Sequence, residues 1–323
     1  MECLLVKSDI LINKNLFANR FLGWFFINFL IAFMINNFLN LAFKVPFAID
    51  FFIKGNFLSI LPITTYALAF FITFYISIRY SKNSLDWDSE NLHKFNIYFI
   101  RSCFWSVLFI GSIDVIIAFM RVEEVSDLLF NDNIVRALKK PSFVCTYLHI
   151  PLLIFGFIIG YFSKTLGFTW LALMIVCAEL IIVITRFVFS YEQSFMGDLV
   201  RYWYAALFLF ASAYTLFEDG HVRVDVFYTN LKDNTKSIVN GVGSILLGIS
   251  TCVAILFVGL NGKQSIINSP ILNFEITQTG SIGMFIKYQM AAFLAIFAIS
   301  MLIQFVSYYF SSLASFYKNL KKS

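Results

Sequence analysis

A charged patch between two apolar segments reads Glu218-Asp219-Gly220-His221-Val222-Arg223-Val224-Asp225-Val226-Phe227-Tyr228. Gly220 interrupts the helical pattern, and from His221 to Val226 polar and apolar residues alternate. One edge of the stretch is therefore polar, while the other edge can lie on an apolar surface. Such a patch is typical of a membrane–water boundary, so the apolar segments before and after it are predicted to cross the membrane.

The composition excludes an ordinary soluble domain. Hydrophobic residues make up 59% of the chain and charged residues only 13%, which indicates a membrane protein with several spans. The net charge of +5 does not indicate nucleic-acid binding, because the Lys and Arg residues are distributed among the loops. The 41 Phe residues occur in all the apolar segments and are interpreted as lipid-facing surface.

The apolar segments predict an all-α polytopic membrane protein with about eight transmembrane helices. The predicted spans are residues 21–43, 57–78, 97–120, 143–162, 168–189, 199–217, 238–260 and 288–310. The first run is too long for the apolar region of a signal peptide, so it is predicted to be retained. Of the 24 Lys and Arg residues, 14 lie on one side of this arrangement and 10 on the other. The bias predicts both termini in the cytoplasm, but misplacing one span near residues 121–141 would invert the N-terminal half.

Further residues around the charged patch carry a resemblance to a known family. With Trp203-Tyr204 and the run from Ala213 to Leu216, the patch resembles the signature of the small membrane subunit, or DctQ component, of tripartite ATP-independent periplasmic (TRAP) transporters. Other positions that fit the family pattern are Arg186-Phe187-Val188-Phe189, Asp198, Gly280, Gly283 and Lys287.

The resemblance implies a division of the chain and a function. Residues 164–323 would form a four-span small-subunit core, and residues 1–163 an N-terminal membrane extension of about four spans. The protein would be a scaffold in a bacterial inner membrane, without enzymatic activity. A large membrane subunit would carry the transport and sodium sites, and a periplasmic binding protein would capture an organic acid or similar solute.

The polar residues of the patch allow two interpretations. Glu218 and Asp219 can pair with Arg223, with His221 hydrogen-bonded, as a cap that stabilises the chain's own fold or contacts the large subunit. His221 and Asp225 are four residues apart, as metal ligands sometimes are, but two ligands do not make a site. Arg186, Asp198 and Trp203 are further candidates for a subunit interface. The widely separated histidines and cysteines predict no haem, zinc or other cofactor.

Residues 191–201 have the periodicity of an interfacial amphipathic helix. Met196, Leu199, Val200 and Trp203 would face the membrane, and Glu192, Asp198 and Arg201 would face water. A polar loop that leads into the sixth span is the alternative interpretation.

Two carboxylates lie inside predicted spans, Glu179 near the centre of the fifth and Asp114 in the third. Each can be a hydrogen-bonded link to another helix or subunit, which is the favoured interpretation, or a ligand for a proton or coupling ion. The second interpretation would make the chain a self-sufficient carrier. A membrane-embedded enzyme is a further alternative, although the sequence contains no catalytic motif.

Overall fold

The computed structural model describes the backbone of residues 2–218 and 228–322 and the side chains of residues 16–218 and 228–320. None of the described residues forms a strand. The α-helices are α1 Glu2–Phe43, α2 Ile49–Lys54, α3 Ile60–Arg79, α4 Leu85–Val122, α5 Ser126–Leu129, α6 Asp132–Leu138, α7 Pro141–Val144, α8 Ile150–Phe162, α9 Phe168–Val188, α10 Ser194–Phe217, α11 Asp233–Gly243, α12 Ser250–Gly259, α13 Asn268–Leu272 and α14 Lys287–Lys322. Two π-helical turns, Cys145–His149 and Ser244–Ile249, precede α8 and α12, and 3₁₀ turns lie at Phe57–Ser59 and Gly280–Ile282.

The prediction of an all-α membrane protein is confirmed. Seven helical segments of the described chain are long and apolar enough to cross a membrane, and each overlaps one of the predicted spans. The predicted span at residues 199–217 lies in α10, which is not among these seven segments. Its Arg201 and its Trp and Tyr residues lower its hydropathy, and one of its faces is packed inside the protein. That buried face contains Phe195, Leu199, Tyr202, Ala206, Phe210 and Ala213.

The contacts divide the chain into two compact units. The first unit contains residues 1–94, 221–262 and 301–323. In it α1 packs along α3, where Asn28 donates a buried hydrogen bond of 2.9 Å to Thr73. Arg20 of α1 and Asp88 of α4 form an ion pair of 2.7 Å and are 2% and 0% exposed. Charges in an apolar bundle are costly unless they are paired. The two helices therefore have to keep the register in which Arg20 and Asp88 meet.

The second unit contains residues 95–220 and 263–300. In it α8 lies close against α4, because Gly156 faces Ser106 and Gly160 faces Ser102. The Ser106 hydroxyl donates to the Leu153 carbonyl at 3.1 Å. Small residues at such positions allow two helix backbones to approach closely within a membrane. The segment from α9 to α10, the residues before α14 and the first part of α14 also belong to this unit.

Two sequence-based expectations stay predictions. The units are defined by contacts and each contains several chain segments, so they do not test the division of the chain at residue 163. The cytoplasmic orientation of the termini likewise stays a prediction.

The close contact of α8 with α4 predicts that Gly156→Ala destabilises the protein. The added methyl group would overlap the backbone and the hydroxyl of Ser106, and overpacking of this kind costs about 1–3 kcal/mol. Gly243→Ala is the matched control, because outside its own helix backbone and chain neighbours no atom of the described residues lies within 4 Å of the position of the added methyl group. Thermal unfolding in detergent is the measurement. We expect a lower midpoint for Gly156→Ala and an unchanged or higher one for the control. Equal midpoints would contradict this account of the helix contact.

Candidate functional site

The most informative site is a mostly irregular segment before α14, which we call the lead-in segment (residues 277–286) and whose last four residues are buried. It contains only one 3₁₀ turn, yet Met284, Phe285 and Ile286 are at most 1% exposed. Buried backbone N–H and C=O groups outside a helix must find partners elsewhere. In this unit several partners of the lead-in segment are charged side chains from α4 and α10.

Asp198 of α10 binds one part of the lead-in segment. Its Oδ2 accepts hydrogen bonds from the hydroxyls of Thr277 at 2.8 Å and Thr279 at 2.7 Å, and from the backbone N–H of Met284 at 3.3 Å. A methyl group at Gly283 would overlap both threonine hydroxyls and this oxygen, so only glycine fits there without rearrangement. Asp198 is 5% exposed. The prediction that Asp198 faces water in the helix at residues 191–201 is therefore wrong.

Asp114 of α4 binds the next residue of the lead-in segment. Its Oδ2 accepts the backbone N–H of Phe285 at 2.8 Å, and its Oδ1 lies 3.2 Å from Nε2 of His149. Asp114 and His149 are each 1% exposed. Two adjacent backbone N–H groups, those of Met284 and Phe285, are thus bound by carboxylates from two different helices.

Arg121, also from α4, binds the carbonyl groups of the same segment. Its Nε donates to the Ser281 carbonyl at 2.7 Å, and its Nη2 donates to the Gly283 carbonyl. The guanidinium also lies over the Phe285 ring, 4.0 Å from the ring centre, which is a favourable cation–π arrangement. Charged side chains therefore bind both donors and acceptors of the lead-in segment, while the carbonyls of Met284 and Phe285 accept from the Thr277 hydroxyl and the Cys145 thiol.

The network continues from Asp114 through His149. The π-helical turn at Cys145–His149 carries the imidazole, whose Nδ1 lies 2.9 Å from the Tyr288 hydroxyl and 3.1 Å from Nε2 of Gln289. Gln289 also donates to the Tyr288 hydroxyl at 2.8 Å and accepts a hydrogen bond from the Tyr202 hydroxyl. With a proton on Nε2, the imidazole donates to Asp114, and the single lone pair of Nδ1 accepts from one of its two neighbouring donors. Both oxygens of Asp114 are therefore used inside the chain.

An apolar cavity of about 320 Å³ adjoins this network, at the lower end of the size range of small-molecule pockets. Phe157, Phe210 and Phe293 are among its lining residues, and His149 and Tyr288 also border it. The polar groups of these two residues are already hydrogen-bonded to each other, so the cavity offers mainly an apolar surface.

The structure brings three of the predicted site residues into the second unit's interior. Besides Asp114 and Asp198, Trp203 is 4% exposed, and its Nε1 donates to the Val107 carbonyl of α4 at 3.2 Å. The indole also lies against Gly111 of α4. These contacts fix α10 to α4, and they explain how both carboxylates reach the same segment.

Other predicted residues lie away from this network. Glu179 is exposed on α9, and an ionised side chain at mid-span costs about 3 kcal/mol on insertion scales. Arg186 is also exposed and lies 3.9 Å from Glu192. Glu218 is exposed at the end of α10. The remaining residues of the charged patch lie outside the described residues: Asp219, Gly220, His221, Arg223 and Asp225.

Several residues of the network were not predicted from sequence as site residues: Arg121, His149, Tyr202, Tyr288 and Gln289. Each is a polar or aromatic residue within or beside an apolar segment, and this position is the signal that could have indicated a buried role. Their partners are far away in the sequence, so the contacts themselves could not be predicted. Among residues 16–218 and 228–320, no group of three or more His, Cys, Asp or Glu side chains could hold a metal ion.

The comparison with protein families agrees with the resemblance found in the sequence. The model of the family described as tripartite ATP-independent periplasmic transporters, DctQ component, matches residues 172–311. The chain is DctQ-like over these residues. The match includes Asp198 and the lead-in segment, whereas Asp114, Arg121 and His149 precede it. No curated protein and no solved structure matches the chain.

The contacts of Asp198 predict a large stability loss for Asp198→Ala. The substitution removes the acceptor for two hydroxyls and leaves the buried N–H of Met284 unpaired, a cost of about 2–4 kcal/mol. Asp127→Ala, at an exposed position of α5, is the control and should change stability by no more than about 0.5 kcal/mol. Denaturation in mild detergent measures both variants. A wild-type stability for Asp198→Ala would show that the lead-in segment does not depend on this carboxylate.

Proposed function

We propose that this protein is the small membrane subunit of a TRAP-type secondary transporter and acts as a scaffold. The observation that carries the proposal is the DctQ family match over residues 172–311. The buried network supports it, because the charged side chains of Asp114, Arg121 and Asp198 are bound to the lead-in segment within the chain and favour one rigid arrangement of helices.

The family suggests the rest of the transporter. A large membrane subunit would carry the transport and sodium sites, and a periplasmic binding protein would deliver an organic acid or a similar solute, with import driven by a sodium gradient. The chain would reside in a bacterial inner membrane with both termini in the cytoplasm, and it would catalyse no reaction. Residues 164–323 would be the small-subunit core, preceded by a membrane extension at residues 1–163.

A self-sufficient carrier that uses Asp114 as an ion ligand is less well supported. Both oxygens of Asp114 accept hydrogen bonds from groups of the chain, at 2.8 Å and 3.2 Å. An ion at this carboxylate would have to displace the Phe285 N–H or the His149 imidazole. A structural link is the simpler role for such a residue.

The first test is partner recovery. The tagged protein is purified from its native membrane in mild detergent, and the bound proteins are identified by mass spectrometry. We expect a large polytopic TRAP subunit in equimolar amount. Recovery of a folded, monodisperse protein without any such subunit would contradict the proposal and direct attention to the carrier alternative.

A second test separates scaffold from carrier at Asp114. Asp114→Asn removes the charge but keeps an oxygen that can accept the Phe285 N–H. For a scaffold, solute uptake per assembled complex should stay within about twofold of wild type, because the residue acts only through packing and hydrogen bonding. Uptake into proteoliposomes, normalised to the amount of assembled complex, measures this. Normal assembly together with complete loss of uptake would indicate an ion-coupling role.

A further inference from the structure

Glu179 occupies an unusual position on α9. It is the twelfth residue of a 21-residue apolar helix, so it lies about 16 Å along the axis from the first residue and near mid-span. Only Leu171 and Ala178 of this helix are buried. The surface beside Glu179 is apolar and open, with Val176 64% and Val183 48% exposed.

The described part of the chain does not satisfy this carboxylate. No hydrogen bond or ion pair joins Glu179 to any residue within 16–218 or 228–320. Arg186, the cation two turns further on, lies about 10.5 Å away along the axis. Its guanidinium points to Glu192 at 3.9 Å. The internal carboxylates Asp114 and Asp198 both have donors, so Glu179 differs from them.

Lipid and a second copy of the chain are both poor occupants of this surface. Lipid tails offer no hydrogen-bond donor at mid-span. Two copies in one membrane have the same orientation, so symmetric packing through α9 would bring one Glu179 against the other. At that depth neither copy supplies a cation from this stripe of α9. A different membrane protein with a basic side chain at the same depth fits the carboxylate.

We propose that the stripe of α9 formed by Val176, Glu179 and Val183 is the docking surface for the large membrane subunit, which presents a Lys or Arg side chain to Glu179. This inference rests on the proposed function, because it takes the partner to be that subunit. The apolar residues of the stripe supply packing with the partner helix, and the ion pair fixes its depth and register.

The experiment uses the full chain co-expressed with the large subunit. In one arm a photo-crosslinking amino acid replaces Val176 or Val183, and Phe71, which is 66% exposed on α3, is the control position. In the other arm Glu179→Leu, Glu179→Gln and the control Glu192→Leu are compared by co-purification. Size-exclusion chromatography of each variant alone verifies folding.

The proposal expects crosslinks to the large subunit from both α9 positions and not from Phe71. It also expects recovery of the large subunit to fall at least about tenfold for Glu179→Leu, which would leave the partner's charge buried and unpaired. Glu179→Gln, which can still accept a hydrogen bond, should retain most of the recovery, and Glu192→Leu should retain all of it.

The outcomes that overturn the proposal are distinct from failure of the proposed function. If the wild-type chain binds the large subunit but α9 gives no adduct with it, or Glu179→Leu is recovered normally, the surface is wrongly assigned and the function stands. Adducts of twice the chain's own mass would instead identify a second copy as the occupant. If the wild-type chain recovers no large subunit, both the function and the surface fail.

Discussion

Two carboxylates that bind adjacent backbone N–H groups are the interaction on which the second unit depends. Met284 and Phe285 are buried in a non-helical stretch where helical hydrogen bonds are absent, and an unpaired N–H in an apolar environment costs several kcal/mol. Asp198 satisfies the first group and Asp114 the second. This requirement explains why α4 and α10 each place an acidic residue in the interior of the unit.

The same constraint joins parts of the chain that are distant in sequence. Asp114, Arg121 and His149 all precede the segment that matches the DctQ family, yet they bind the lead-in segment within it. Buried polar groups of the matched segment therefore form hydrogen bonds with residues outside it. Helices before residue 172 therefore contribute to the packing of the DctQ-like segment. A separately folded, appended bundle would not supply such buried contacts.

The sequence predicts the fold class well because hydropathy is a local property. Seven predicted spans coincide with apolar helical segments, and only α10 differs, since its aromatic and charged residues serve internal packing. The site is less predictable because its contacts are not local. Asp198 has the helical periodicity of a water-facing residue, but Thr277 and Thr279, about eighty positions later, supply the hydroxyls that make its burial favourable. Sequence spacing does not contain that information.

The two carboxylates inside predicted spans show what packing adds to sequence. Asp114 lies on α4, a helix with half of its most apolar window buried, and finds donors from the lead-in segment and His149. Glu179 lies on α9. Only 11% of the most apolar window of this helix is buried, because α9 packs mainly along α10. Both residues are carboxylic side chains inside predicted spans, and they differ in how many neighbouring elements surround them. Asp114 on a surrounded helix is satisfied within the fold, whereas none of the residues 16–218 and 228–320 donates a hydrogen bond to Glu179.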